Sequence, residues 1–68
     1  MSKLSIGEQR VRTKFNPSAD STVDQIKQRT AELINMCEDL KDKDPRLAAI
    51  AMTTFEDAAM WAVKLATA

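Results

Sequence analysis

The chain has 68 residues with ten basic and ten acidic side chains, so its formal net charge is zero. A single domain of this size lies below the length at which one core is comfortably stable alone. One Cys and no His exclude an intrachain disulfide and a Cys/His zinc site as the missing support.

Self-association is the usual remaining solution, and the apolar pattern described below suits it. The charge is unevenly spread. Residues 1–18 hold Lys3, Arg10, Arg12 and Lys14 against Glu8, a local excess of three positive charges, and the rest of the chain carries the compensating deficit. Such an asymmetry points to a local anion contact, not to a surface field for DNA. No apolar run approaches the length of a bilayer span, and the first residues lack the apolar core of a signal peptide. The expectation is a protein of a reducing cytoplasm with no membrane partner.

In chain order, MSKLSIGEQ at residues 1–9 is the least determined stretch. Ser5 and Glu8 have capping-box spacing, but Gly7 weakens a helix there, and a frayed tail is the plain alternative. RVRTKFNPS at 10–18 alternates Arg10, Arg12 and Lys14 with Val11, Thr13 and Phe15, a period of two that suits an extended segment with a basic face. Asn16-Pro17 stops any helix from running through it. Residues 1–18 therefore read as an N-terminal arm or short helix, and 19–68 as one helical-hairpin domain.

The first long helix is expected to begin between Pro17 and Ser21, with Asn16, Ser18, Asp20 and Ser21 as competing caps. Val23, Ile26, Thr30, Leu33, Cys37 and Leu40 then recur at three and four, with Ala31 and Ile34 widening the stripe. Asp24, Gln25, Gln28, Arg29, Glu32, Asn35 and Asp39 fall on the opposite side. LKDKD at 40–44 is a short polar turn, which makes the next helix an antiparallel neighbour. Asp44 suits an N-cap and Pro45 the first helical position. From there Leu47, Ala51, Thr54, Ala58, Trp61 and Leu65 form the expected packed seam, flanked by Ala48, Met52, Phe55, Ala59, Ala62 and Ala66. Only Arg46, Thr53, Asp57, Met60 and Lys64 look made for water. The fold class is all-α, an antiparallel hairpin assembled into a homo-oligomeric bundle.

Catalysis has little support. There is no His and no Tyr, and neither Ser nor Cys has a base at a recognisable spacing. Glu56 and Asp57 are adjacent on a helix and so diverge by about 100°, which does not suit a shared acid–base task. The acidic residues near Asp42 and Asp44 lack calcium-loop spacing, and Cys37 reads as a small core hydrophobe. No metal and no cofactor is expected.

An anion site is the sharper reading. Arg10, Arg12 and Lys14 precede Phe15, a rigid Asn16-Pro17 turn and a helix start near Ser18, where guanidinium forks and free amides hold phosphate oxygens. Phe15 has a flat face on which a nucleobase can stack. Lys27, at the edge of the apolar stripe, can reach towards the same phosphate. The competing reading is a solvated arm with Phe15 stapling the helix to the core. Lys64 either complements the helix C-terminal dipole or lines a ligand site at a subunit junction.

The runs Phe15-Asn16-Pro17-Ser18, Val23-Asp24-Gln25-Ile26-Lys27 and Ala31-Glu32-Leu33-Ile34 are similar to those of small helical-hairpin proteins of bacteriophages. So are Arg46-Leu47-Ala48 through Met52-Thr53 and the ending from Glu56 to Lys64. From residue 10 onward the chain resembles the phage anti-CBASS cyclic-oligonucleotide sponges, whose hairpin domain is shared with an anti-Thoeris sponge. That resemblance implies a compact homo-oligomer, commonly a hexamer, that binds cyclic dinucleotides, and in some members cyclic trinucleotides, between protomers without cleaving them. It implies action in the host bacterial cytoplasm, where sequestering the messenger keeps the defence effector inactive. It matches Lys27 to a phosphate contact and Phe15 to a base-stacking aromatic that is often Tyr. The gap from Phe15 to Lys27 is about one helical turn shorter than the family's. The competing function class is an oligomeric protein-interaction or transcription-regulating module without a nucleotide ligand. For DNA binding, both long helices lack a basic recognition face. A small enzyme acting on cyclic nucleotides is disfavoured by the missing His and metal ligands.

Overall fold

The computed structural model describes residues 4–11 and 21–68. They form three helices, α1 (Ile6–Val11), α2 (Ser21–Asp39) and α3 (Pro45–Ala66), with no strand among the described residues. No described helix is long and apolar enough to cross a membrane.

The hairpin follows local chemistry. Asp44 caps α3, its carboxylate accepting from the Leu47 amide at 3.0 Å, and Pro45 opens the helix with no amide to satisfy. Between the helices the Leu40 amide donates back to Met36 and Cys37, and the Lys43 amide donates to Leu40 at 3.0 Å, closing the turn. Lys41 Nζ donates to Glu38 Oε1 at 2.6 Å. That hydrogen bond raises the lysine above its ordinary 10.5, so the contact is present at neutral pH and is lost only as the solution turns strongly alkaline. At the far end, Thr67 turns its amide and hydroxyl back on the Val63 carbonyl.

Residues 4–9 are not a frayed tail, and Arg10 and Val11 are not an extended strand; residues 1–3 lie outside the described residues. Ser5 and Glu8 close a reciprocal capping box: the Ser5 amide donates to Glu8 Oε1 at 2.9 Å and the Glu8 amide to Ser5 Oγ at 3.1 Å. Adjacent helical residues point about 100° apart, which places Val11 in the core and Arg10 at its edge. The expected alternation from Arg12 to Phe15, the Asn16-Pro17 stop and the caps as far as Asp20 lie outside the described residues.

The buried row of α2 is Val23, Lys27, Ala31 and Ile34. This is the flank of the expected stripe, and Leu33 and Leu40 are left outside it. On α3 the correction is larger. Met52 and Ala59 are buried and Phe55 packs against them, whereas Leu47, Trp61 and Leu65 of the expected seam are 62%, 63% and 78% exposed. Small side chains decide this, because helices approach most closely where Ala lines the contact. The core is thus Val11, Ala31, Ile34, Met52 and Ala59, with Cys37 and Phe55 packed on it.

The short α1 packs mainly on α2 and meets α3 at Arg10. The outer face of α3 is left uncovered, so its bulky row stays at the surface.

A candidate anion cleft between the three helices

The cleft exists because α1 is pinned tightly onto α2. A Cβ built on Gly7 would stand 2.0 Å from the Ala31 carbonyl oxygen, a distance no side chain allows, so only Gly permits this crossing. Asn35, expected on the solvent side of α2, is instead partly covered by α1. Its Oδ1 accepts from the Gly7 amide at 2.8 Å and its Nδ2 donates to Ser5 Oγ at 3.0 Å. One helical turn beyond Gly7, Arg10 is thereby delivered across α3. Its Nε donates to Glu56 Oε2 at 2.8 Å and its Nη2 to Thr53 Oγ1 at 3.2 Å.

Arg10 and Val11 of α1, Lys27 of α2, and Glu56, Ala59, Met60 and Val63 of α3 enclose an open cavity of ≈ 420 Å³. Lys27 is 94% buried, where the sequence suggested the edge of a stripe. Two of the expected anion contacts, Arg10 and Lys27, are brought together. Lys64 is not with them: its Nζ lies 5.1 Å from the Trp61 ring centre, beside Asp57 and Met60 in a shallower depression on the outer side of α3. Met60 borders both hollows. Phe15, Arg12, Asn16 and Ser18 lie outside the described residues.

Sequence reasoning missed Glu56 and Thr53, the residues that hold Arg10. They are 46 and 43 positions away from it, and no local pattern joins residues at that separation. The Gly7–Ala31 crossing was equally hidden, although the Ser5–Glu8 spacing did signal a helix start.

Among known families, the model for the Acb2/Tad1 hairpin domain matches residues 6–67. The chain belongs to that family. No curated protein and no solved structure gives a significant match. The Acb2/Tad1 match takes in α1 as well as α2 and α3, so the helix that supplies Arg10 lies within the matched region. Acb2/Tad1 proteins are the anti-CBASS and anti-Thoeris sponges, and membership implies an anti-defence protein of phage that binds cyclic oligonucleotides; the family is one of binding domains and is not known for catalysis.

Proposed function

We propose that this protein sequesters a cyclic dinucleotide messenger, uncleaved, and so keeps a CBASS effector of the host from being activated. The observation that carries this reading is the cavity in which Arg10 and Lys27, from different helices, face apolar walls of Val11, Ala59, Met60 and Val63. Guanidinium and ammonium groups bind phosphodiester oxygens, and the apolar walls accommodate base and ribose. In this reading Phe15 is the stacking residue, Lys27 and Arg10 are the phosphate contacts, and Arg12, Asn16 and Ser18 are further ligand contacts. Cyclic trinucleotides are a further ligand class. The protein acts in the host cytoplasm, where the messenger is made.

The working form is a homo-oligomer, a hexamer in this reading, with Lys64 at the subunit junction. Leu47, Ile50, Met60, Trp61 and Leu65 of α3 are all more than half exposed. Thr54, within the same row, spends its hydroxyl on the Ile50 carbonyl at 2.7 Å, so little on that row asks for water.

The test is a release assay. Protein incubated with cyclic di-AMP, cyclic di-GMP or cyclic GMP–AMP is separated from free nucleotide and heat-denatured, and the released nucleotide is chromatographed. Intact ligand in stoichiometric amount supports sequestration. Cleaved ligand means an enzyme, and no retained ligand favours an interaction module.

A further inference from the structure

The short first helix is held in place largely by polar contacts. Only Gly7 and Val11 of α1 are buried, and Gly7 has no side chain to pack. Isolated helices shorter than about 12–15 residues are marginal in water, and α1 has six residues. Its partners on α2 and α3 therefore fix both its existence and its setting.

The first-turn amides of a helix have no carbonyl of their own helix to donate to. In α1, Ser5 Oγ takes the Glu8 amide at 3.1 Å. The Gly7 amide is taken from another helix, by Asn35 Oδ1 at 2.8 Å. The same Asn35 side chain donates from Nδ2 to Ser5 Oγ at 3.0 Å, the oxygen that caps Glu8. An Asn amide holds an acceptor and a donor on one planar group, and here each meets a different residue of the α1 start. Two bonds to one rigid group fix the roll of α1 as well as its distance from α2. Roll matters because Arg10 stands about one turn further along. A small rotation would take it off Glu56 and Thr53, which it reaches at 2.8 Å and 3.2 Å.

We propose that Asn35 is a positioning residue for the cavity: by capping α1 from α2 it sets the roll of that helix and so aims the Arg10 guanidinium at a bound phosphate. This rests on the nucleotide-binding reading above. Asn35 belongs neither to the described lining of the cavity nor to the core cluster. Its effect on a ligand passes through α1.

Two measurements on the full chain test this. The first is amide hydrogen exchange, read by NMR in wild type and in Asn35→Leu, which keeps the size of the side chain and loses both polar atoms. The Gly7 amide should be protected in wild type. In the variant it should exchange about tenfold faster or more, together with the rest of α1, while α2 and α3 stay protected. Unchanged Gly7 exchange overturns the inference. So does loss of protection along the whole chain, which would mark a purely structural role.

The second is a double-mutant cycle with Arg10→Ala. Its probe is whichever of cyclic di-AMP, cyclic di-GMP and cyclic GMP–AMP binds wild type most tightly. Asn35→Leu alone should weaken binding about tenfold, the loss of one aligned hydrogen bond to a charged group. Added to Arg10→Ala it should cost no more than about twofold, because the group it aims is gone. Equal losses in the two backgrounds, or no loss in the single variant, overturn the inference and leave the nucleotide reading standing. Wild type that binds none of the probes overturns the nucleotide reading and the part of Asn35 in binding, and the exchange pattern then decides alone whether Asn35 seats α1.

Discussion

Arg10 and Glu56, 46 residues apart in the chain, meet with Nε 2.8 Å from Oε2 and tie the short first helix to the middle of the third. The side chains are 26% and 36% exposed. Pairs this accessible contribute about 0–1 kcal/mol to stability, so their value lies in where they put the guanidinium. Arg10→Ala should therefore leave the melting temperature almost unchanged in a thermal scan. The same variant should weaken cyclic dinucleotide binding by about tenfold to a hundredfold, the loss of a hydrogen bond to a charged group.

Lys27 is the second cation of the cavity and is nearly enclosed. Lys27→Met keeps its length and apolar stem but removes the ammonium. Calorimetric titration should show binding weakened by about 1.5–3 kcal/mol, with the elution volume of the protein unchanged.

Gly7→Ala gives a sharp test of how α1 is seated. On propensity alone the change should favour a helix by about 1 kcal/mol. The new Cβ would instead stand 2.0 Å from the Ala31 carbonyl oxygen and 2.7 Å from Asn35 Oδ1. Forcing α1 away costs about 1–3 kcal/mol, read as a lower denaturation midpoint, and nucleotide affinity should fall with it because Arg10 rides on α1. A stabilised Gly7→Ala protein would show that the two helices do not cross this closely.

The bulky outer row of α3 gives an independent prediction. Trp61 and Leu65 are among the most exposed apolar side chains of the protomer, so charged replacements there scarcely disturb its own core. Trp61→Glu combined with Leu65→Glu should shift sedimentation towards a single chain while far-ultraviolet dichroism remains helical. Retention of the wild-type mass would place the subunit contacts on another face.

The hairpin was legible in the sequence because its signals are local. Asp44-Pro45 writes its own helix start, and apolar residues at three and four mark α2 and α3. The inward face of α3 was not legible, since that helix is apolar around most of its girth. The eye is drawn to Leu47, Trp61 and Leu65, but close helix packing selects the row through Met52 and Ala59. Gly7 was misleading in a different way: it weakens α1 in isolation, yet the contact with Ala31 requires it. In the site, Arg10 and Lys27 stand out by charge and, for Lys27, by the family motif. Glu56 and Thr53 do not, because only the folded chain brings them to Arg10.

We propose that the cleft between the three helices holds a cyclic dinucleotide tightly enough to withhold it from a host effector. Calorimetric titration of the wild-type protein with cyclic di-AMP, cyclic di-GMP and cyclic GMP–AMP reads this without any variant. At least one should bind with a nanomolar dissociation constant, about 12 kcal/mol of binding free energy. The absence of any binding heat down to micromolar concentrations, or titration only at millimolar ligand, would contradict it.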